Sequence, residues 1–158
     1  MNTDRIEREV KIAAPVERVW AVLTEPQHVG TWFGAGTPAE IDLRPGGVMV
    51  LNHGEHGTYP TVIVELDPPL YLSYRWASAF PGVIATENNS TLVEFLLTPE
   101  AEGTILRVIE SGFDSISIPP EREPSAGYES HSQGWTGVVE KLKQYTEGQD
   151  ASPLVTAV

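Results

Sequence analysis

Cysteine is absent from this sequence of 158 residues. A disulfide framework, a thiolate nucleophile, a zinc site built on cysteine and an iron–sulfur cluster are therefore all excluded. Basic residues are scarce as well, because 10 Lys and Arg stand against 22 Asp and Glu and leave a formal net charge of −12. A chain of that sign repels both a phosphate backbone and an anionic bilayer, so we do not expect nucleic acid as a partner.

Long apolar runs are missing too. No run approaches the ~18 residues that a membrane-spanning helix needs, and residues 1–10 are charged where a signal peptide would be apolar. We therefore expect a cytoplasmic protein that does not insert into a membrane. The chain length fits one domain, which we place at residues 5–147, with flexible tails at residues 1–4 and 148–158.

Signatures of common catalytic and cofactor sites are also lacking. The sequence contains no Gly-x-Ser-x-Gly elbow, no phosphate-binding loop and no closely spaced pair of acids, so nothing nominates a hydrolase or a kinase. Gly34 and Gly36 have the spacing of a dinucleotide fingerprint, but they follow a helix pattern where a strand is required. His53, Glu55 and His56 have metal-ligating side chains, but they occupy a predicted turn without a fourth ligand. From these motifs we predict no catalytic residue, no cofactor and no metal site.

Alternation of apolar and polar residues indicates an antiparallel sheet. Residues 6–12 alternate with a period of two, as a strand does when one face is buried and the other is wet. Similar strands follow between residues 41 and 113, separated by turn signals and short connections. Residues 78–90 are too long and too apolar for an ordinary hairpin, so we interpret this segment as a lid over an opening in the fold.

Three segments show the period of an amphipathic helix. The first two are short and follow the first strand, and the second ends in the glycine-rich loop at residues 34–36. The third and longest runs from residue 128 to residue 145 with apolar side chains along one face. Gly134 and Gly137 lie inside it, which indicates close backbone packing or a bend.

The long helix has to cover the apolar face of the sheet, because no other helix is long enough. A twisted sheet curves away from a straight helix and leaves a gap between the two, which is either a ligand cavity or simply the core. The side chains expected to face this gap are mostly aromatic: Trp20, Trp32, Phe33, Tyr74, Trp76, Phe95, Phe113, His131 and Trp135. We predict these residues, together with Glu110, as the ligand-binding set.

Glu110 is the charged residue of greatest interest. It continues the inward register of Leu106 and Val108, so its side chain is expected to point into the gap. An unpaired carboxylate there is costly, and either protonation or a partner such as His131 or a tyrosine hydroxyl would neutralise it. Glu110 is then a polar handle for a ligand or a satisfied structural carboxylate, unless a bulge turns it outward. His131 is likewise either a hydrogen-bonded core residue or a ligand contact.

Three sequence motifs resemble those of a known family. Residues 14–20 read Ala-Pro-Val-Glu-Arg-Val-Trp, residues 110–113 read Glu-Ser-Gly-Phe, and residues 134–137 read Gly-Trp-Thr-Gly ahead of Leu142. Over residues 5–147 the chain is similar to the SRPBCC superfamily, which has the START-like helix-grip fold, and within it to the branch of the activator of heat shock protein 90 ATPase. The resemblance implies an α+β fold of order β-α-α-β6-α, in which a curved antiparallel sheet wraps around a long C-terminal helix. It also implies a deep hydrophobic cavity, and relatives that bind lipids, polyketides or other apolar molecules.

Three functions are compatible with these patterns. The leading interpretation is a binding module for a small hydrophobic or aromatic molecule held between the sheet and the long helix. The resemblance suggests a second, a chaperone-linked protein that acts through its acidic surface on a basic partner. The third is an enzyme of the polyketide cyclase or hydrolase type, in which Glu110 and His131 act as acid and base. An exposed strand edge would also allow a homodimer.

Overall fold

The computed structural model describes residues 5–32, 40–52, 58–77, 82–86, 89–113 and 128–151. These residues form three helices and seven strands. The strands are β1 (Arg5–Ile12), β2 (Glu40–Ile41), β3 (Val48–Asn52), β4 (Thr58–Asp67), β5 (Tyr71–Trp76), β6 (Thr91–Glu100) and β7 (Gly103–Ser111). The helices are α1 (Val16–Thr24), α2 (Pro26–Trp32) and α3 (Tyr128–Ala151). The order along the chain confirms the predicted β-α-α-β6-α arrangement.

The seven strands form one antiparallel sheet in the spatial order β1-β7-β6-β5-β4-β3-β2. From β2 to β7 each strand pairs with the next one along the chain, so this part of the sheet is a meander. β1 instead pairs with β7, beginning with Arg5 opposite Ser111. A β-bulge between Ile63 and Glu65 interrupts the ladder of β4 and β5. In the described sheet, β1 and β2 are therefore the edge strands.

Alternation along the strands divides the sheet into a buried and an exposed face. In β1, Ile6 and Ile12 are buried, whereas Glu7, Glu9 and Lys11 are exposed. The buried face continues through three neighbouring strands with Leu72, Tyr74, Val93, Phe95, Leu97, Leu106, Val108 and Glu110. This confirms the predicted registers of β1, β5, β6 and β7, including the inward position of the glutamate.

α1 packs one apolar face into the core. Its buried apolar side chains, at helical spacing, are Val16, Val19, Val22 and Leu23. Trp20 is half-buried and packs at the border of the core. The helix ends where Glu25 donates its backbone N–H to the carbonyl of Ala21 at 2.8 Å, and Pro26 then begins α2.

α3 lies against β1 and contributes its own stripe of buried side chains. They recur at helical spacing and are His131, Trp135, Val139, Leu142 and Thr146. The Arg8 guanidinium of β1 donates to the backbone carbonyl of Ser132 at 2.8 Å and to its hydroxyl at 2.9 Å. The helix continues beyond its predicted end to Ala151. Near this end, Glu147 pairs with Lys143 at 2.6 Å and accepts the backbone N–H of Ala13 at 2.8 Å.

The two glycines in the middle of α3 are not sites of close packing. A Cβ atom placed on Gly134 or Gly137 would have no neighbouring atom within 4 Å. The interpretation of close backbone packing is therefore wrong for both residues, since they face open space. A glycine is needed instead at Gly103, which has φ +154° and where a Cβ atom would collide with the carbonyl oxygen of Ile12.

Candidate ligand-binding site

Glu110 lies in the middle of a row of side chains on the buried face of the sheet. The pairing register sets it opposite Ile6 of β1 on one side and Val93 of β6 on the other. Its strand neighbours in this row are thus apolar, and the side chain is fully buried. Because a buried carboxylate is costly unless it is hydrogen-bonded, its partners decide what the site can do.

Three side chains hold the Glu110 carboxylate. Its Oε1 accepts the indole N–H of Trp135 at 2.7 Å and lies 2.7 Å from Nδ1 of His131. Its Oε2 accepts the Thr91 hydroxyl at 2.5 Å. His131 and Trp135 are one turn apart on α3, whereas Thr91 begins β6, so Glu110 ties the helix to the sheet. We call these four residues the Glu110 cluster.

Aromatic rings pack around the Glu110 cluster. The His131 imidazole stacks on Trp76 with ring centroids 5.1 Å apart and 28° between the planes. The same imidazole meets Phe113 in an edge-to-face contact at 5.4 Å, and Trp135 meets Phe95 in another at 6.1 Å. These separations are those of favourable aromatic pairs. The region between the sheet and α3 therefore combines one polar centre with largely aromatic surroundings.

Tyr74 brings a second polar group to the same face of the sheet. It pairs with Val93 of β6, which in turn pairs with Glu110 of β7, so the three side chains belong to one row. The Tyr74 ring lies 6.1 Å from that of Phe95, and its hydroxyl has no hydrogen-bond partner among the described residues. Burial first, and then the charge of Glu110, raise the pKa of Tyr74 well above its ordinary value of 10.0. The hydroxyl is thus held in its neutral form, which can donate a proton in a hydrogen bond.

The part of the chain that carries these residues matches a known family. Residues 13–147 match the model of the family described as Activator of Hsp90 ATPase homolog 1-like protein. The chain belongs to this family. The match confirms the resemblance that the three sequence motifs indicate, and every residue of the Glu110 cluster lies inside the matched region.

Several solved structures have the same fold, and the regions that match them cover most of this chain. Protein MLL2253 from Mesorhizobium loti is 25% identical, with a TM-score of 0.68, and the match covers 89% of this chain and 94% of that one. DynU16, a protein in the dynemicin biosynthetic locus, is 26% identical with a TM-score of 0.67 over 91% of this chain and 47% of its own. The Aha1 dimer from Colwellia psychrerythraea is 17% identical with a TM-score of 0.69 over 90% of this chain and 96% of that one, which shows a shared fold. No curated protein matches the chain.

Most residues predicted for the site come together in this member of the Activator of Hsp90 ATPase homolog 1-like family. They are Tyr74, Trp76, Phe95, Glu110, Phe113, His131 and Trp135. Trp20 lies on α1 at the border of the core, while Phe33 and the side chain of Trp32 lie outside the described residues. Sequence reasoning missed Thr91, although it is in the same inward alternation as Val93 and carries a hydroxyl.

The segment predicted as a lid lies partly within the described residues, at 82–86 and 89–90. Gly82 donates its backbone N–H to the carbonyl of Thr58 in β4 at 2.6 Å. Val83 and Ile84 expose about half of their area, 48% and 51%. The described part of the segment thus borders β4 with two aliphatic side chains toward solvent, and its action as a lid stays a prediction.

Two surface depressions adjoin each other beside α1. The first has a volume of about 490 Å³ and lies between residues 13–17 and 99–103. The second, of about 380 Å³, follows α1 from Pro15 to His28. Pro15 and Glu17 line both depressions, and no member of the Glu110 cluster lines either of them. The cavity predicted between the sheet and α3 is a different space and stays a prediction.

Metal clusters and membrane spans are not found within the described residues. His53, Glu55 and His56 of the predicted turn lie outside them. In the part of the chain that is described, no group of three or more His, Asp or Glu side chains could hold a metal ion. None of the helices there combines the length and the apolar character that crossing a membrane requires.

Proposed function

We propose that the chain is a cytoplasmic protein that binds a small hydrophobic or aromatic molecule between the sheet and α3. The proposal rests on one observation: polar side chains of the interior converge on Glu110 within aromatic and aliphatic surroundings. Ligand pockets combine these two components, because large apolar area supplies affinity and a few fixed polar groups orient the ligand. The shared fold of DynU16, a protein in a biosynthetic locus, supports a small molecule as the partner.

The Glu110 carboxylate is the group that orients the ligand in this proposal. A carboxylate offers about four lone-pair sites, and the contacts to Thr91, His131 and Trp135 account for three of them. The remaining site on Oε2 can accept a hydroxyl or N–H of a ligand. Trp76, on the ring face of His131, supplies apolar contact area beside it.

Titration of the purified protein with fatty acids, flavonoids and polyketides tests the proposal. Trp76 and Trp135 lie in the proposed site, so tryptophan fluorescence is a direct readout and thermal unfolding is an independent one. A ligand that binds only the native state raises the free energy of unfolding by about 2.7 kcal/mol at 100 times its Kd. Unchanged fluorescence together with an unchanged Tm for every compound would contradict the proposal.

Two glutamate variants form a matched control for this titration. Glu110→Gln and Glu9→Gln make the same chemical change, but Glu9 is exposed on the opposite face of the sheet. We expect weaker binding of ligands with a hydroxyl or N–H group in the first variant and wild-type binding in the second. Equal affinities in both variants would show that Glu110 does not orient the ligand.

The acidic rim of the two surface depressions favours a second function, action on a chaperone. The carboxylates that line them are Glu17, Glu25, Glu100 and Glu102, a pattern that suits a basic surface of a partner. Capture of an Hsp90 chaperone from a defined mixture, together with an ATPase assay, tests this function. Changing Glu100 and Glu102 to Gln should weaken capture, as should added salt. Absence of capture by the wild type at low salt would argue against it.

The contact between Glu110 and His131 is compatible with the enzyme alternative. A general acid or base must lie within hydrogen-bond reach of the proton that it transfers, and Glu110 and His131, 2.7 Å apart, can pass a proton between them. In a polyketide cyclase or hydrolase, His131→Asn should abolish turnover while the protein stays folded. Ligand binding without turnover by the wild type would leave the binding function in place and remove this alternative.

A homodimer is the assembly that we propose for the open edges of the sheet. β1 and β2 are the edge strands of the described sheet, and unpaired backbone groups on an edge can pair with a second copy. The shared fold of the Aha1 dimer from Colwellia psychrerythraea is compatible with this assembly. Light scattering should give twice the chain mass of 17.3 kDa, and a single-chain mass at every concentration would contradict it.

A further inference from the structure

Tyr74 places an unused hydrogen-bond donor in the interior of the protein. The residue is 1% exposed, and its hydroxyl has no hydrogen-bond partner within the described part of the chain. Buried polar groups of folded proteins are nearly always paired, because an unpaired group loses its hydration without compensation. A buried hydroxyl of this kind points to a partner that is not part of the chain.

The sheet register sets this hydroxyl on the same side as the Glu110 cluster. Tyr74, Val93 and Glu110 occupy one row across β5, β6 and β7, and all three are buried. Neighbouring strands are about 4.8 Å apart, so the backbones at the two ends of this row are separated by about 10 Å. A molecule of two small rings that lies along the row can contact the hydroxyl and the carboxylate together.

The surroundings of Tyr74 disfavour a negative charge. The pKa of its own phenol is raised, first by burial and then by the charge of Glu110. Both causes act on any anion in that position, because burial removes its hydration and Glu110 repels it. A ligand carboxylate beside the Tyr74 hydroxyl would likewise lose its hydration and be repelled by Glu110. An uncharged oxygen in that position loses less hydration and carries no net charge for Glu110 to repel.

We propose that Tyr74 selects uncharged ligands, by donating a hydrogen bond from its hydroxyl to a neutral acceptor such as a ketone oxygen. The inference rests on the proposed binding function and narrows it to a ligand class. Aromatic or aliphatic carbonyl compounds belong to this class, while fatty acids and other carboxylates are excluded from it. Glu110 at the other end of the row disfavours carboxylates for the same reason.

Three compounds of similar shape separate the effect of a neutral acceptor from the effect of a negative charge: benzophenone, diphenylmethane and diphenylacetate. The first has a neutral acceptor, the second has none and the third is an anion. Calorimetric titration should show benzophenone binding to the wild type at least tenfold more tightly than diphenylacetate. Tyr74→Phe should weaken benzophenone binding about three- to tenfold, the effect of one neutral hydrogen bond, and leave diphenylmethane binding unchanged.

Tyr71→Phe is the matched control, because it removes a hydroxyl from the opposite face of the same strand. The Tyr71 hydroxyl donates to Glu94 at 2.6 Å, away from the interior. This variant should bind all three compounds as the wild type does. Tyr74→Phe should unfold at the wild-type temperature or above it, since its lost hydroxyl has no partner in the described chain, and this shows that weaker binding is not a folding defect.

The outcomes distinguish the selectivity from the binding function. If benzophenone and diphenylmethane bind but Tyr74→Phe weakens both equally or neither, the role of Tyr74 is refuted and the binding function stands. If diphenylacetate binds as tightly as benzophenone, the selection against anions is refuted. If none of the three compounds binds to the wild type, the selectivity is refuted, and the titration with fatty acids, flavonoids and polyketides decides the binding function separately.

Discussion

Replacement of Glu110 by leucine should destabilise the protein strongly. Leucine removes the acceptor of the contacts from Thr91, His131 and Trp135. Hydrogen bonds to charged groups contribute about 1.5–3 kcal/mol each, so the loss of three such contacts costs roughly 4.5–9 kcal/mol. Relief from the desolvation of the carboxylate, several kcal/mol, offsets part of this cost. We expect a net loss of about 3–5 kcal/mol.

Replacement of Glu110 by glutamine should cost less, because it keeps the geometry. The amide oxygen can accept from Trp135 and His131, and the amide NH₂ can donate to the Thr91 hydroxyl, which then acts as an acceptor. The charge of the acceptor is lost. Hydrogen bonds to charged groups contribute about 1.5–3 kcal/mol and neutral ones about 0.5–1.5 kcal/mol, so we expect a net loss of about 1–2 kcal/mol after desolvation is relieved.

Urea denaturation followed by tryptophan fluorescence measures both losses. Glu9→Gln, on the exposed face of β1, is the control and should stay within about 0.5 kcal/mol of the wild type. Domains of this kind have roughly 5–15 kcal/mol of stability, so Glu110→Gln remains folded and measurable even if the leucine variant does not. A leucine variant as stable as the wild type, or more stable, would refute the reasoning, because apolar burial would then outweigh the loss of three contacts to the carboxylate.

Three further perturbations have effects whose sign follows from the structure. Gly137→Ala adds a methyl group in open space on α3 and should raise the free energy of unfolding in urea by about 0.5–1 kcal/mol. The pKa of Glu147 is lowered from 4.5, first by the N–H of Ala13 and then by Lys143; its stabilising contribution is present above pH 4.5 and is lost as the pH falls through the lowered pKa. The stability difference between wild type and Glu147→Gln should therefore disappear in acid, and a difference that persists there would contradict this. Burial first, and then its acidic partner, raise the pKa of Tyr71 to about 12. The stability that this shift contributes is present below pH 10 and is lost as the pH rises through 12. An ultraviolet titration of the wild type should therefore show a step near pH 12 that Tyr71→Phe lacks.

The faces of the strands could be predicted from the sequence. Leu106, Val108 and Glu110 alternate inward in β7 as their spacing predicts, because a strand has a period of two and a slip by one residue would turn every side chain over. The inward position of the glutamate follows from this local rule alone. The fold class follows from the same rule applied to each strand, together with the length of the last helix.

Contacts between the helix and the sheet could not be predicted in this way. Thr91 and Trp135 reach the same carboxylate from elements whose relative placement depends on three-dimensional packing and not on a local period. Whether the Tyr74 hydroxyl has a hydrogen-bond partner likewise depends on which residues lie opposite it in the folded chain. The interpretation of close packing at Gly134 and Gly137 was wrong for a related reason: propensity gives the cost of a glycine in a helix but not the direction in which it faces.

The pairing of the first strand with the last determines when the chain can fold. Arg5 lies opposite Ser111, so during synthesis at 5–20 residues per second β1 waits roughly 5–20 s for its neighbour to be made. Contacts between residues so distant along the chain are also the slowest to form. Ile6 and Ile12 of β1 face the core, and α3, which packs against β1, is made later still. A ribosome-bound chain should therefore remain sensitive to protease until β7 and α3 have left the exit tunnel.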